Sequence, residues 1–222
     1  MLSDLATLDF AKCQIQNIEN ALKEIAGKDE RVPLLVQITG IGLLTAITIL
    51  SAIGEINRFP TAKQLVGYAG LGARVHASGE TYATGRITKR GRKDLRSAMV
   101  EAAHHAVQDH AHFKKEYERL TKTIGKNKAT VAIARKLLVV VWHLLAKNTQ
   151  DKFANPTQVA CSLFAFAHRV RVKRLPDGMS AMQFTRTQMD RLGLGQDVLV
   201  IPWGSKRYKL PPSRLTEQPL PT

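Results

Sequence analysis

Apolar residues in the first 26 positions recur at mixed three- and four-residue spacing: Leu5, Leu8, Ile15, Ile18, Leu22 and Ile25. Polar residues fill the other face. The spacing lies near the 3.5-residue period of a coiled coil and predicts a helix over residues 1–26, ended by Gly27-Lys28-Asp29. Two readings fit it: a coiled-coil arm joining protomers or domains, or an amphipathic helix lying on a globular core. The next apolar stretch, Val32 to Leu50, is interrupted by Gly40-Ile41-Gly42. It predicts two helices around a tight hairpin, with Pro33 suited to a first helical turn. Thr61 is an N-cap for a short helix from Ala62 to Ala69, ended by Gly70. Gly72 to Lys93 holds too many glycines for a helix, and Val75 to Tyr82 reads as a short β-hairpin or extended loop around Ser78-Gly79.

From Arg92 to about Thr123, Leu95, Met99, Ala102, Ala106, Phe113, Tyr117 and Leu120 form one stripe, with His110 in the remaining slot. This predicts one long helix, broken by Gly125. A second runs from Asn127 to about Lys147 through Val131, Ile133, Ala134, Leu137, Leu138, Val141 and Leu144. The two are expected to pack as an antiparallel pair beneath the Ser78 loop. Beyond Asn148 the pattern changes. A basic run, Arg169 to Arg174, is either a solvated helix face or a nucleic-acid stripe. Met179 to Leu192 predicts a helix stopped by Gly193 and Gly195. Val198–Ile201 and Arg207–Leu210 flank Pro202-Trp203-Gly204-Ser205 as a small β-hairpin. The tail from Pro211 is expected to be disordered. The fold class is therefore mainly α: a coiled-coil-like N-terminal helix, a helix-hairpin-helix core, a long antiparallel helix pair and a small α+β C-terminal extension. The boundaries fall at residues 1–28, 29–148 and 149–222.

Charge sharpens this picture. The chain has 222 residues and a formal net charge of +15. Such an excess points to a polyanionic partner, most economically nucleic acid. A ribosomal protein or a binder of anionic membranes carries the same excess. The 2 cysteines, Cys13 and Cys161, match no zinc spacing, and a disulfide framework is not expected. A reducing cytoplasm fits. No signal peptide is evident at Met1. The most apolar run, Leu137 to Leu145, is shorter than the ~20 residues a membrane span needs, so no membrane is expected.

Chemistry concentrates in the glycine-rich centre. Ser78-Gly79 sits close to seven cations, Arg74, Arg86, Lys89, Arg90, Arg92, Lys93 and Arg96, opposed only by Glu80 and Asp94. That composition suits a hydroxyl held against a phosphodiester, with cations to stabilise charge on phosphoryl oxygens. It equally suits a solvated turn serine in a basic loop. A serine hydroxyl needs activation by a base or a metal; His76 and Glu80 are the nearest candidate bases. Gly40-Ile41-Gly42 fits a helix-hairpin-helix pattern, in which Gly40 and Gly42 let free N–H groups of the second helix meet a DNA phosphate. The alternative is a glycine hairpin used only for packing. His104, His105, His110 and His112 complete no tetrahedral site, so metal ligands are expected to be none.

The order of these segments resembles a known family. It joins Gly40-Ile41-Gly42, Arg58-Phe59, Tyr68-Ala69-Gly70-Leu71, Ser78-Gly79 and Gly85-Arg86-Ile87-Thr88-Lys89-Arg90-Gly91. It continues through Leu95-Arg96, Tyr117 and Val131 to Leu138. It is similar to the C-terminal half of the transposases named after insertion sequences 110, 116 and 902, the DEDD-type, RNA-guided bridge recombinases. The resemblance covers roughly residues 1–148. It implies that Ser78 is the nucleophile of DNA strand exchange, through a phosphoserine–DNA intermediate. It also implies DNA and a guide RNA as partners, with self-association through the N-terminal helix. The family carries a RuvC-like domain with four acidic residues that bind magnesium, joined by a coiled coil whose end residues 1–26 resemble.

No acidic residues here match that four-carboxylate site, which the family's order places upstream of Met1. The expectation is therefore a chain that binds no cofactor itself, with magnesium required only alongside the acidic domain, and that is inactive alone. The alternative function is a truncated, non-catalytic DNA- or RNA-binding remnant.

Overall fold

The computed structural model describes residues 2–78 and 81–217. It is mainly helical. The helices are α1 (Leu2–Lys28), α2 (Arg31–Val36), α3 (Leu43–Ile53), α4 (Ala62–Tyr68), α5 (Lys93–Asp109), α6 (Ala111–Ile124), α7 (Lys126–Lys147), α8 (Pro156–Val170) and α9 (Ala181–Arg191). Two antiparallel hairpins complete it: β1 (Ala73–Ser78) with β2 (Thr81–Ile87), and β3 (Val200–Trp203) with β4 (Lys206–Lys209).

Local signals set several boundaries. Thr61 and Gln64 form a reciprocal capping box that starts α4, and Ser180 with Gln183 does the same for α9. Each box satisfies two backbone donors that a helix start otherwise leaves free. Asn155 caps α8 by accepting from Gln158 N, with Pro156 in the first turn.

The centre is α7. Its stripe of Ile133, Ala134, Leu137, Leu138, Val141 and Leu144 is buried, and α4, α5 and α6 pack against it. Among the described residues it is the one helix long and apolar enough to cross a membrane, but its apolar stripe forms the protein core. The small residues Ala102, Ala103 and Ala106 on α5 admit close neighbours. The α2–α3 turn exploits this: a Cβ on Gly40, at φ +93, would meet Ala102 O at 2.3 Å.

The long helix expected from Arg92 to Thr123 is instead two. The backbone turns extended at His110, with φ −124 and ψ 116. His110 Nε2 then lies 2.7 Å from Phe153 O, His112 stacks on Phe153 at 3.9 Å, and Phe113 becomes buried. The break lets both α5 and α6 reach α7. Glu116 pins α6 to α7: it bonds Arg119 on its own helix and Lys136 across the interface.

The segment after α7 joins the same core. α8 packs on α1, α2 and α9, and buries Phe164 and Phe166. The expected disorder from Pro211 does not begin there. The buried Arg186 donates to Pro211 O at 2.8 Å, Ser213 Oγ donates to Asp190 Oδ1 at 2.8 Å, and Arg214 N donates to Asp190 Oδ2 at 3.1 Å. These bonds hold the tail to α9; residues 218–222 lie outside the described residues. At the other end, Leu5, Leu8, Phe10, Ile15 and Ile18 of α1 are exposed, and burial begins only near its C-terminus.

Candidate nucleic-acid interface

Two motif segments, Tyr68-Ala69-Gly70 and Lys89-Arg90-Gly91, are far enough apart in sequence to hide their relation. In space they clamp together. Arg92 N donates to Tyr68 O at 2.9 Å, Lys89 N to Gly70 O at 3.2 Å, and Thr88 N to Gly72 O at 2.9 Å. Arg96 crosses the junction, donating to Ala69 O at 3.0 Å and to Lys89 O at 3.3 Å. Gly91 allows this closeness: at φ +131, a Cβ there would stand 2.1 Å from Tyr68 O. Only glycine meets both demands at once.

The clamp is anchored to the core from behind. Tyr68 donates its hydroxyl to Ala52 O at 3.2 Å and packs on Phe59, whose carbonyl accepts from Trp142 Nε1 at 2.8 Å. The Arg58 guanidinium lies 5.0 Å from both the Phe59 and Tyr68 ring centres. The Arg58-Phe59 pair is therefore part of the same support.

From this base rises the β1–β2 ribbon. Ala73 pairs with Ile87, an irregularity follows, and the register then runs from Val75–Thr84 to Ser78–Thr81. Ser78 ends β1, about 17 Å along the strand from Ala73 at the usual rise per residue. The side chains of His76, Ser78 and Arg86, and the whole of Gly79 and Glu80, lie outside the described residues.

The remaining cations divide by environment. Arg74 is exposed and donates to Thr88 O at 3.2 Å, bracing the ribbon. Arg92 forks onto Asp94, 2.5 Å away, and is held more basic by that bond. In return the guanidinium, and then the Leu95 N–H, hold the Asp94 carboxyl down at about 2. Arg96 is half-buried as a tether. Lys89, Arg90 and Lys93 are exposed and form no ion pair among the described residues. The candidate set thus contains supports (Arg96 and, in part, Arg74 and Arg92) and free charges (Lys89, Arg90 and Lys93).

The glycine turn forms a second element of the face. Gly42 is the N-cap of α3, in extended backbone, and with Leu43, Leu44 and Thr45 of the first turn it lines a cleft of about 450 Å³. Arg169 of α8 lines that cleft beside Gly42, with Glu101, His105 and Asp109 of α5. Placing Arg169 here was beyond sequence reasoning, because α8 reaches α2 only through tertiary packing. His105 faces Glu101 at 3.5 Å, and among the described residues no three His, Cys, Asp or Glu side chains converge on a metal-sized site.

A helical body thus holds a clamped, cation-bearing ribbon. Residues 32–118 match the Transposase IS116/IS110/IS902 family. The chain is 31% identical over 141 residues to the transposase for insertion sequence element IS1111A of Coxiella burnetii, covering 60% of this chain and 38% of that protein. It is 36% identical over 143 residues to the pilin gene-inverting protein of Moraxella bovis, covering 61% and 42%. It is 28% identical over 146 residues to a probable family 20 transposase of Pseudomonas aeruginosa, covering 64% and 43%. The chain thus spans about two fifths of the length of these relatives.

Proposed function

We propose that this chain is the DNA-binding, serine-bearing part of an insertion-sequence transposase, and that it takes part in DNA transposition. The relatives' names, transposases and a pilin gene-inverting protein, support DNA rearrangement as the shared activity. The observation that carries the reading is the clamp. It fixes the root of the ribbon that ends at Ser78 and sets Lys89, Arg90 and Lys93 free beside it. In the proposed step the Ser78 hydroxyl attacks a DNA phosphorus. An Oγ–P bond forms, a P–O bond of the strand breaks, and the serine proton passes to a base while the leaving deoxyribose oxygen takes one up. Attack by a strand hydroxyl reverses the step, so the diester energy is retained.

Nothing among the described residues fits the magnesium that the family resemblance implies, since no such donor set converges. Carboxylates from a RuvC-like domain outside this chain are therefore part of the proposal. The α2–α3 turn is proposed as a helix-hairpin-helix phosphate contact, through the N–H groups near Gly42. Arg169 alongside offsets one of the two carboxylates there, Glu101 and Asp109. The exposed apolar residues of α1 are proposed to pair with a second copy. Exchanging Leu8 and Ile15 for Glu should lower the sedimentation mass if they do.

The test is a labelled DNA substrate incubated with the chain, the acidic domain, the family's guide RNA and magnesium. A covalent protein–DNA adduct should appear on a denaturing gel and map to Ser78. Ser78→Ala should abolish it while duplex binding persists. An adduct that survives in the alanine variant, or maps to Tyr82 or Ser97, removes Ser78 from the chemistry. No adduct under complete conditions leaves the non-catalytic binding remnant as the better reading.

A further inference from the structure

The β3–β4 ribbon lies outside the matched transposase domain and has no part in the reading above. Its inner positions are anchored. Ile201 is buried, Tyr208 is half-buried, and Pro202 O lies 3.4 Å from Cys161 Sγ on α8. Phe164 of α8 is the hub, with the Tyr208 ring at 5.1 Å and the Trp203 ring at 5.3 Å. Trp203, however, stands at the end of the ribbon, beside the Gly204-Ser205 turn, and remains 41% exposed. Trp203 is thus held against the Phe164 ring and keeps part of its indole open to a partner.

The ribbon's own charges are of one sign. From Val198 to Leu215 the sequence contains Lys206, Arg207, Lys209 and Arg214 and no Asp or Glu. Lys206 pairs across the ribbon with Trp203, and Arg207 with Pro202. All four cations are exposed, and none forms an ion pair among the described residues. Asp190, nearby in the fold, is occupied by Arg186, Ser213 and the Arg214 amide.

We propose that the β3–β4 ribbon is a second nucleic-acid site, one that takes single strands: an unpaired base stacks on Trp203 while Lys206, on the same face of the ribbon, contacts a flanking phosphate and Arg207 and Lys209, on the opposite face, attract the strand as it passes the ribbon. A duplex keeps its base faces covered, so an exposed indole gains nothing from it beyond the cations' contact. A flexible single strand offers both a π-face and charge at one place. A second copy of this chain is disfavoured as occupant, because the same cations would oppose one another. The shared chemistry, base plus phosphate, belongs to RNA and to displaced DNA alike.

The test uses the full chain and labelled oligo-dT and oligo-rU of ~20 nucleotides, long enough to cover one such site, beside a duplex of equal length. Fluorescence anisotropy reads affinity. The chain has 2 tryptophans, and the other, Trp142, is half-buried and donates to Phe59 O. In a Trp142→Phe background the emission therefore reports Trp203. Single strands should quench that emission along the same isotherm as the anisotropy. Trp203→Ala should weaken single-strand binding about tenfold, Trp203→Phe should keep most of it, and duplex affinity should not move. A tighter isotherm for oligo-rU identifies RNA as the source, and one for oligo-dT identifies displaced DNA. Equal affinities of the alanine variant and the parent, or a parallel loss on duplex, overturn the proposal. So does an emission change that follows protein concentration instead of oligonucleotide. If the alanine variant fails to fold, exchanging the exposed Lys206, Arg207 and Lys209 for alanine must still lower single-strand affinity more than duplex affinity; an equal effect on both is a refutation.

Discussion

Gly91 and Gly67 look interchangeable in the sequence, and the structure makes their alanine variants opposites. Gly91 sits at φ +131, where a Cβ would meet Tyr68 O at 2.1 Å and Gly70 N at 3.2 Å. Both obstacles are backbone, so no side chain can rotate away. Strained backbone of this kind costs about 1–3 kcal/mol. Moving Tyr68 O aside also loosens the Arg92 N–H bond it accepts, worth about 1 kcal/mol net. The sum for Gly91→Ala is a loss of about 2–4 kcal/mol. Gly67 lies inside α4 with nothing within 4 Å of an added Cβ. Gly67→Ala should be neutral or stabilising by up to about 1 kcal/mol. Urea unfolding followed by circular dichroism measures both. Amide exchange at Thr88, Lys89 and Arg92, which donate across the clamp, locates the effect. If the two variants agree within about 0.5 kcal/mol and those amides stay equally protected, the clamp is not what positions the ribbon.

Exchanging Lys89, Arg90 and Lys93 together for alanine should weaken duplex binding for all sequences and flatten the log K against log salt slope by about 2.7 at most, or 0.9 per phosphate contact. An unchanged slope removes this cluster from the interface. Gly42→Val, whose Cβ would have only Arg169 Nη1 at 3.5 Å, should fold by circular dichroism yet bind duplex more weakly; full affinity would mark the turn as packing only. Burial raises the Asp151 carboxyl above its ordinary value, against the Phe153 N–H it accepts. Its folded form thus favours the proton: stability from this group is present below the unfolded value and lost as pH rises through the folded one. Asp151→Asn should therefore raise the melting temperature at neutral pH, with the gain vanishing in acid.

Local rules carried the reading where the determining partner lay close by. The Thr61 cap and the Gly70 stop depend on residues within one element, and each is found where the pattern put it; both hairpins are present, but the first extends over Ala73–Ile87 and the second shifts so that Pro202 and Trp203 belong to β3 and only Gly204-Ser205 forms the turn. The break at His110 was invisible because its cause is Phe153, on the far side of α7. A helical stripe keeps its period through such a break, since Phe113 and Tyr117 still face inward after it. Arg96 resembled a phosphate contact because composition records charge and not direction; its guanidinium turns back to two carbonyls of the clamp. Arg92 is different. Asp94, two residues on, could have warned that this cation has a partner already.

Gly40 and Gly42 separate two demands that the sequence merged. Gly40 is a packing residue: its missing Cβ lets the turn lie on the α5 backbone at Ala102. That contact orients α3, although Gly40 also borders the cleft. Gly42 is the open position, with the first turn of α3 behind it and Arg169 beside it. The proposed phosphate docking therefore depends on α8 as well as on the hairpin. The carboxylates of Glu101 and Asp109 line the same cleft and oppose an anion; the helix end alone supplies about half a charge against them. Arg169 cancels one of the two carboxylates and, with the helix end, leaves about half a negative charge in the cleft, so a segment outside the matched domain contributes to the electrostatics of a turn inside it.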